Sequence, residues 1–182
     1  LVLACKYRVL STNEKTKMAF PEIKLGIFPG FAGTIRAPKL IGLVNALDLI
    51  LTGKTVDAKK AYKLGLADMI FDDAQKEFML DSFVKKAIYG TVNKKTNFKL
   101  LNYAPLNEIV FNKALKGLEA KVNKDFKAPY VALEVIKATI NKELEDAIKI
   151  EAKEFAKLAV SKESKNMIKL FFLFEKLNKN YT

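Results

Sequence analysis

The run Phe20-Pro21-Glu22-Ile23-Lys24-Leu25-Gly26-Ile27-Phe28-Pro29-Gly30-Phe31-Ala32-Gly33-Thr34-Ile35-Arg36 decides how this chain reads. It sets one carboxylate, Glu22, eight residues before Gly30, with a short apolar segment between them. Pro29-Gly30 breaks the chain, and helical spacing takes over beyond it. A carboxylate is thereby held near the backbone N–H donors of a helix N-terminus, an arrangement suited to proton transfer. Taken alone, Glu22 reads as a solvated acid after a proline turn, and Gly30 as a plain turn glycine.

Working outward, residues 1–5 are apolar and read as a helix end, and residues 7–11 as a strand of β-formers. A polar turn follows over residues 11–15. Met18-Ala19-Phe20 is a short strand that stops at Pro21, which cannot donate to a ladder. Downstream, residues 43–51 form a helix closed at Thr52-Gly53. Asp57 caps a helix over residues 58–64 that Gly65 stops. Met69-Ile70-Phe71 is a strand. Residues 78–89 read as an amphipathic helix with Phe78, Leu80, Phe83, Val84 and Ala87 on its apolar face. The polar stretch 89–103 is the best boundary, and no convincing strand follows it. Helices are expected over residues 106–122, from Pro129 with Leu133, Ile136 and Ile140 on one face, and over 144–160 with Leu144, Ile148, Phe155 and Leu158. Ser161 caps a last helix bearing Met167, Ile168, Leu170, Phe171, Phe172, Leu173, Phe174 and Leu177. That helix is apolar almost all round, so it is read as a core helix or as a docking element against another domain or subunit.

Half of the 182 residues are hydrophobic, enough for a real core. No run of 18 apolar residues occurs, so no membrane span is expected. Leu1-Val2-Leu3-Ala4 is too short for a signal peptide and lacks a basic n-region. A chain opening on Leu inside an element reads as a fragment. The single Cys5 excludes an internal disulfide and fits a reducing cytoplasm. The absence of His removes His-based triads and most zinc sites, and no metal site is expected. A net charge of +12 would attract phosphates. Yet 30 of the 32 basic residues are Lys, spread along the chain, with Arg8 and Arg36 the only arginines. Phosphate and base readers favour Arg forks, so the charge reads as a solvated surface and no nucleic-acid partner is expected.

Three blocks, in order and correctly spaced, resemble the crotonase (enoyl-CoA hydratase/isomerase) family. Residues 20–36 resemble the segment carrying the second catalytic glutamate. Leu1-Val2-Leu3-Ala4-Cys5-Lys6-Tyr7-Arg8-Val9 resembles the segment just after the family's glycine-rich turn. Leu51-Thr52-Gly53-Lys54-Thr55-Val56-Asp57-Ala58-Lys59-Lys60-Ala61-Tyr62-Lys63-Leu64-Gly65-Leu66-Ala67-Asp68 resembles its later helix-turn signature. Residues 105–177 resemble the helical linker of the bifunctional family members of bacterial fatty acid oxidation. The implied fold is α/β: the C-terminal part of a crotonase-type ββα spiral over residues 1–100, then a mainly α-helical extension over 101–182.

The resemblance implies a 2-enoyl-CoA thioester as ligand, with two backbone N–H groups on its oxygen and two glutamates handling water and protons. Glu22 takes the place of the second glutamate, exchanging a proton at the α carbon during hydration, or moving one across the double bond during isomerisation. Phe20, Ile23 and Phe28 are the expected apolar wall around it. Gly30 matches the glycine whose N–H positions the attacking water. No cofactor is implied for hydration, and NAD only for a dehydrogenase part outside these residues. The implied partners are the N-terminal half of the domain and a dehydrogenase domain or thiolase subunit. By register the other glutamate and the oxyanion turn fall ahead of Leu1, so the chain alone is expected to turn over little. The alternative is a catalytically incomplete acyl-CoA-binding or subunit-assembly fragment. Ala32 departs from the family's Pro-Gly-x-Gly-Gly turn and reduces backbone freedom there. Lys6 and Ile35 depart more mildly.

Overall fold

The computed structural model describes residues 1–94 and 99–180. Strand β1 (Val9–Ser11) pairs in parallel with β4 (Met69–Phe71), Val9 opposite Met69 and Ser11 opposite Phe71. Strand β2 (Lys17–Met18) pairs antiparallel with β3 (Val56–Asp57). Between and beyond them lie α1 (Gly33–Ile41), α2 (Leu43–Thr52), α3 (Ala58–Leu64), α4 (Lys76–Ile88), α5 (Leu106–Lys121), α6 (Ala128–Thr139), α7 (Leu144–Ala159) and α8 (Lys162–Asn180). Short 3-10 turns occupy Val2–Ala4, Pro21–Leu25, Asp73–Gln75 and Leu100–Asn102. Residues 95–98 of the expected boundary stretch lie outside the described residues. Among the described residues, no helix is long and apolar enough to cross a membrane.

Local chemistry accounts for the helix ends. The Asp57 carboxylate accepts the Lys60 N–H at 2.7 Å, capping α3, and Gly65 closes it in the left-handed region at φ 88°. The Ser161 hydroxyl accepts the Ser164 N–H at 3.1 Å and starts α8. At the α1–α2 corner the buried Asn102 amide donates to the Pro38 carbonyl at 2.9 Å and accepts the Leu43 N–H at 2.8 Å. It thus gives the Leu43 N–H at the start of α2 an acceptor and adds a second donor to the Pro38 carbonyl, which also accepts the Gly42 N–H at 3.0 Å.

One apolar cluster joins both halves of the sequence. Ile23, Phe28, Ile41, Leu43, Leu49 and Ile50 pack with Phe111, Leu118, Leu133, Ile136 and Leu158. Each large side chain so buried contributes roughly 1.5–3 kcal/mol. The Phe28 and Phe155 rings meet edge to face at 5.6 Å. On the far side, Arg8 is buried with its guanidinium 2.9 Å from Asp68. The same guanidinium donates to the Leu66 and Cys5 carbonyls at 2.8 Å each. The pair fixes the entry of β1 against the loop before β4, a matter of register more than of net stability.

Three faces differ from the sequence reading. On α4 only Phe83 is buried, edge-on to Tyr7 at 5.7 Å, while Phe78 and Val84 face solvent. The helix touches the sheet along one narrow line, so its pattern overstates its burial. On α7 the inward stripe is Ala147, Glu151, Phe155 and Leu158, whereas Leu144 and Ile148 are exposed. On α8 the reading as a core helix fails. Leu170, Phe171, Phe172, Leu173, Phe174 and Leu177 are all exposed, because only the first turns reach the body. There Ser164 is buried against Gly26, whose added Cβ would lie 3.0 Å from the Ser164 Cα.

The end of α2 abuts the turn that carries Glu22. Gly53 sits at φ 60°, and a Cβ there would come within 2.8 Å of the Ile23 side chain and 3.3 Å of the Phe20 carbonyl. Gly53→Ala is therefore expected to lower unfolding stability by about 1–3 kcal/mol, measured by urea denaturation. An unchanged midpoint would mean this contact is soft.

Candidate active site

Glu22 lies on the 3-10 turn Pro21–Leu25. Pro21 presets the first φ of that turn. Gly26 ends it at φ 73° and donates its N–H to the Ile23 carbonyl at 3.1 Å. The chain then buries Phe28 completely and Pro29 after it, and reaches the half-buried Gly30. Glu22 and Gly30 line one cavity of about 360 Å³, together with Met18, Phe20, Leu49 and Leu66. Arg36 and the first residues, Leu1 to Ala4, complete its rim. Of the expected apolar wall only Phe20 takes part. Ile23 and Phe28 belong to the core behind it, since period-breaking turns reverse which side faces in. One Glu22 carboxylate oxygen, Oε2, is buried with no protein partner. A buried acceptor without a partner is a group that lacks a donor.

The turn itself is unusual. Phe31 and Ala32 both have positive φ, 53° and 61°. The left-handed region costs a residue with a Cβ roughly 1–2 kcal/mol. Ala32 thus adopts the conformation that a glycine would adopt more freely, and something else holds it there. That something is Glu151 on α7. Its Oε1 accepts the Ala32 N–H at 2.6 Å, and its Oε2 accepts the Thr34 N–H at 3.2 Å and the Thr34 hydroxyl. Hydrogen bonds to a charged group contribute about 1.5–3 kcal/mol each, enough to hold the two strained residues. Burial raises the Glu151 carboxyl above the usual glutamate value, opposed by the Thr34 hydroxyl, the Ala32 and Thr34 N–H groups and the Arg36 charge. Arg36 also donates to the Phe31 carbonyl at 3.1 Å. Across the turn lies a second cavity of about 530 Å³, bounded by Phe31, Ile148, Glu151, Ala152 and Phe155. Among the described residues no group of three or more His, Cys, Asp or Glu could hold a metal ion.

Glu151 escapes the sequence reading because it falls 117 residues from Thr34. Its signal is a lone carboxylate inside the apolar stripe, four residues after Ala147 and four before Phe155. A charge at such a position needs a buried partner.

A family model described as enoyl-CoA hydratase/isomerase matches residues 1–180. The chain belongs to the enoyl-CoA hydratase/isomerase family. Among curated relatives, the fatty acid oxidation complex subunit alpha of Vibrio parahaemolyticus is 38% identical over 183 residues, and that of Vibrio cholerae 39% over 186. This chain spans 26% of the length of each. Solved structures of low identity share the fold. An enoyl-CoA hydratase from Mycobacterium avium subsp. paratuberculosis superposes with a TM-score of 0.61 at 16% identity, covering 94% of this chain and 56% of its own. A carnitinyl-CoA hydratase from Mycobacterium avium gives 0.57 at 22% identity, covering 94% and 53%. The chain is thus α/β, part of a crotonase-type spiral followed by a mainly helical extension.

The raised carboxyl of Glu151 has a definite consequence for stability. Folding favours its protonated form, so that contribution is full below the unfolded value of about 4.3 and is lost as pH rises through the folded value. Relative to Glu151→Gln, the wild type is expected to lose stability as pH rises from about 4 to 8, measured by denaturation at each pH. A constant difference would mean that Glu151 titrates as it does unfolded.

Proposed function

We propose that this chain forms part of a fatty acid β-oxidation enzyme that hydrates 2-enoyl-CoA to 3-hydroxyacyl-CoA and isomerises 3-enoyl-CoA, with Glu22 as acid/base. The observation that carries the proposal is the shared cavity. Glu22 and Gly30 line the same space, and one Glu22 carboxylate oxygen has no protein hydrogen-bond partner. In hydration, water beside the Gly30 N–H adds its oxygen to C3. The C2=C3 electron pair moves toward the thioester oxygen, and the Glu22 carboxyl delivers a proton to C2. The remaining water proton passes to a second glutamate, which the family resemblance assigns, with the oxyanion donors, to sequence ahead of residue 1. In isomerisation the Glu22 carboxylate removes a proton from C2 of the 3-enoyl thioester, the C2–H electron pair forms C2=C3, and the former C3=C4 pair takes the proton back from Glu22 at C4.

The reaction as written needs no cofactor. An acyl-CoA thioester is the proposed substrate. NAD enters only through a dehydrogenase domain in the parent, which the names of the curated relatives, subunits of an oxidation complex, make reasonable. We divide the chain into a hydratase part, residues 1–100, and a linker part, 101–182, and place it in the cytoplasm, which the free Cys5 suits.

Glu22→Gln keeps size and removes the exchangeable carboxyl proton. In the protein carrying residues 1–182 in their native sequence context, kcat for enoyl-CoA hydration is expected to fall about 100-fold or more, followed through the absorbance of the conjugated thioester. A variant hydrating at the wild-type rate would remove Glu22 from the mechanism.

A second reading, subunit or domain assembly through α8, is favoured by the exposed side chains of Phe171, Phe172, Leu173 and Phe174. Contiguous apolar surface of this kind marks interaction sites. On that reading residues 1–182 associate in a concentration-dependent way in sedimentation runs, and the double substitution Phe172→Ser, Phe174→Ser makes them monomeric. A wild-type chain that is monomeric throughout counts against it.

A further inference from the structure

We infer that Glu151 is a positioning residue for the Glu22–Gly30 site: it grips the turn after Gly30 and holds Gly30 against the cavity shared with Glu22. The inference rests on the hydratase reading of those two residues.

Helix α7 touches this turn at two points one helical turn apart. At the first, the Glu151 carboxylate takes the Ala32 and Thr34 N–H groups and the Thr34 hydroxyl. At the second, the Phe155 ring lies 3.4 Å from where a Cβ on Gly30 would stand, so this ring backs the Gly30 backbone directly. Gly30 is tied to the gripped segment by its own carbonyl, which accepts the Gly33 N–H at 2.9 Å. From the α1 side, Arg36 holds the Phe31 carbonyl at 3.1 Å. These contacts link Gly30 to α7 and to the first turns of α1.

The two residues in left-handed geometry make the grip consequential. Phe31 is almost fully exposed and Ala32 buried, so packing holds only one of them. Without the carboxylate the Ala32 and Thr34 N–H groups lose their acceptor, and the turn is free to relax out of positive φ. Gly30 would move with it, and a nucleophile displaced by about 1 Å can cost on the order of 100-fold in rate. Glutamine at 151 fills the same space and keeps one acceptor oxygen, but puts an NH₂ where the second N–H must be accepted.

The test compares wild type, Glu22→Gln, Glu151→Gln, Glu151→Asp and Thr34→Val in the native sequence context. It reads kcat, KM, the thermal midpoint and the Gly30 amide resonance. Glu151→Gln is expected to lower kcat about 10–100-fold with KM within about threefold, and to shift the Gly30 resonance. Thr34→Val should act in the same direction, more weakly, and Glu151→Asp should recover part of the rate. If Glu151→Gln does not fold, the Asp and Thr34 variants decide the matter by the same readings. A lowered thermal midpoint with kcat within twofold and an unmoved Gly30 resonance would make Glu151 a fold-stabilising cap only, and overturns the inference. Wild-type activity in Glu22→Gln instead overturns the hydratase reading, while the Gly30 resonance still reports whether Glu151 holds the turn.

Discussion

The turn after Gly30 passes through two consecutive left-handed residues that carry side chains, and it is held in that shape from outside. Three donors from Ala32 and Thr34 converge on one carboxylate that belongs to a helix near the far end of the chain. This constraint orders much of the remainder. It fixes the start of α1, and through α1 the corner at Gly42 where Asn102 bridges to α2. The end of α2 in turn supports the 3-10 turn that carries Glu22. A buried carboxylate is costly unless its acceptor capacity is filled, and here the same hydrogen bonds offset both the strain of the turn and the burial of the charge.

The same arrangement explains why the helices beyond residue 101 are more than an appendage. Phe155 packs on Phe28 and backs Gly30, while Leu133, Ile136 and Leu158 close the apolar cluster over Ile41, Leu43 and Ile50. The site's floor comes from the first part of the sequence and its buttress from the last. Near α8 the packing thins. Its first turn rests on Gly26, and the aromatic residues further along face outward.

Several of these elements are legible in the amino-acid order alone. The caps at Asp57, Gly65 and Ser161 are readable because capping is chemistry between near neighbours. The helix from Pro129 and its buried face of Leu133, Ile136 and Ile140 follow from a 3.6-residue period meeting a large apolar surface. The faces of α4 and α7 are less legible. Periodicity reports where apolar residues lie on a helix, not how much surface the neighbours offer. Phe78, Val84, Leu144 and Ile148 therefore read as inward and point outward.

Family, order of elements and the candidacy of Glu22 and Gly30 are all contained in the sequence, because each rests on residues a few positions apart. That these two residues share a cavity is a product of three-dimensional packing. Packing also replaces Ile23 and Phe28 with Met18, Leu49 and Leu66 in the wall around them. It lets Ala32 keep a glycine-like conformation through Glu151, and it closes the opposite side with Arg8 and Asp68. In the last two cases buried charges find partners across 60 to more than 100 residues of chain, a distance over which no local pattern carries information.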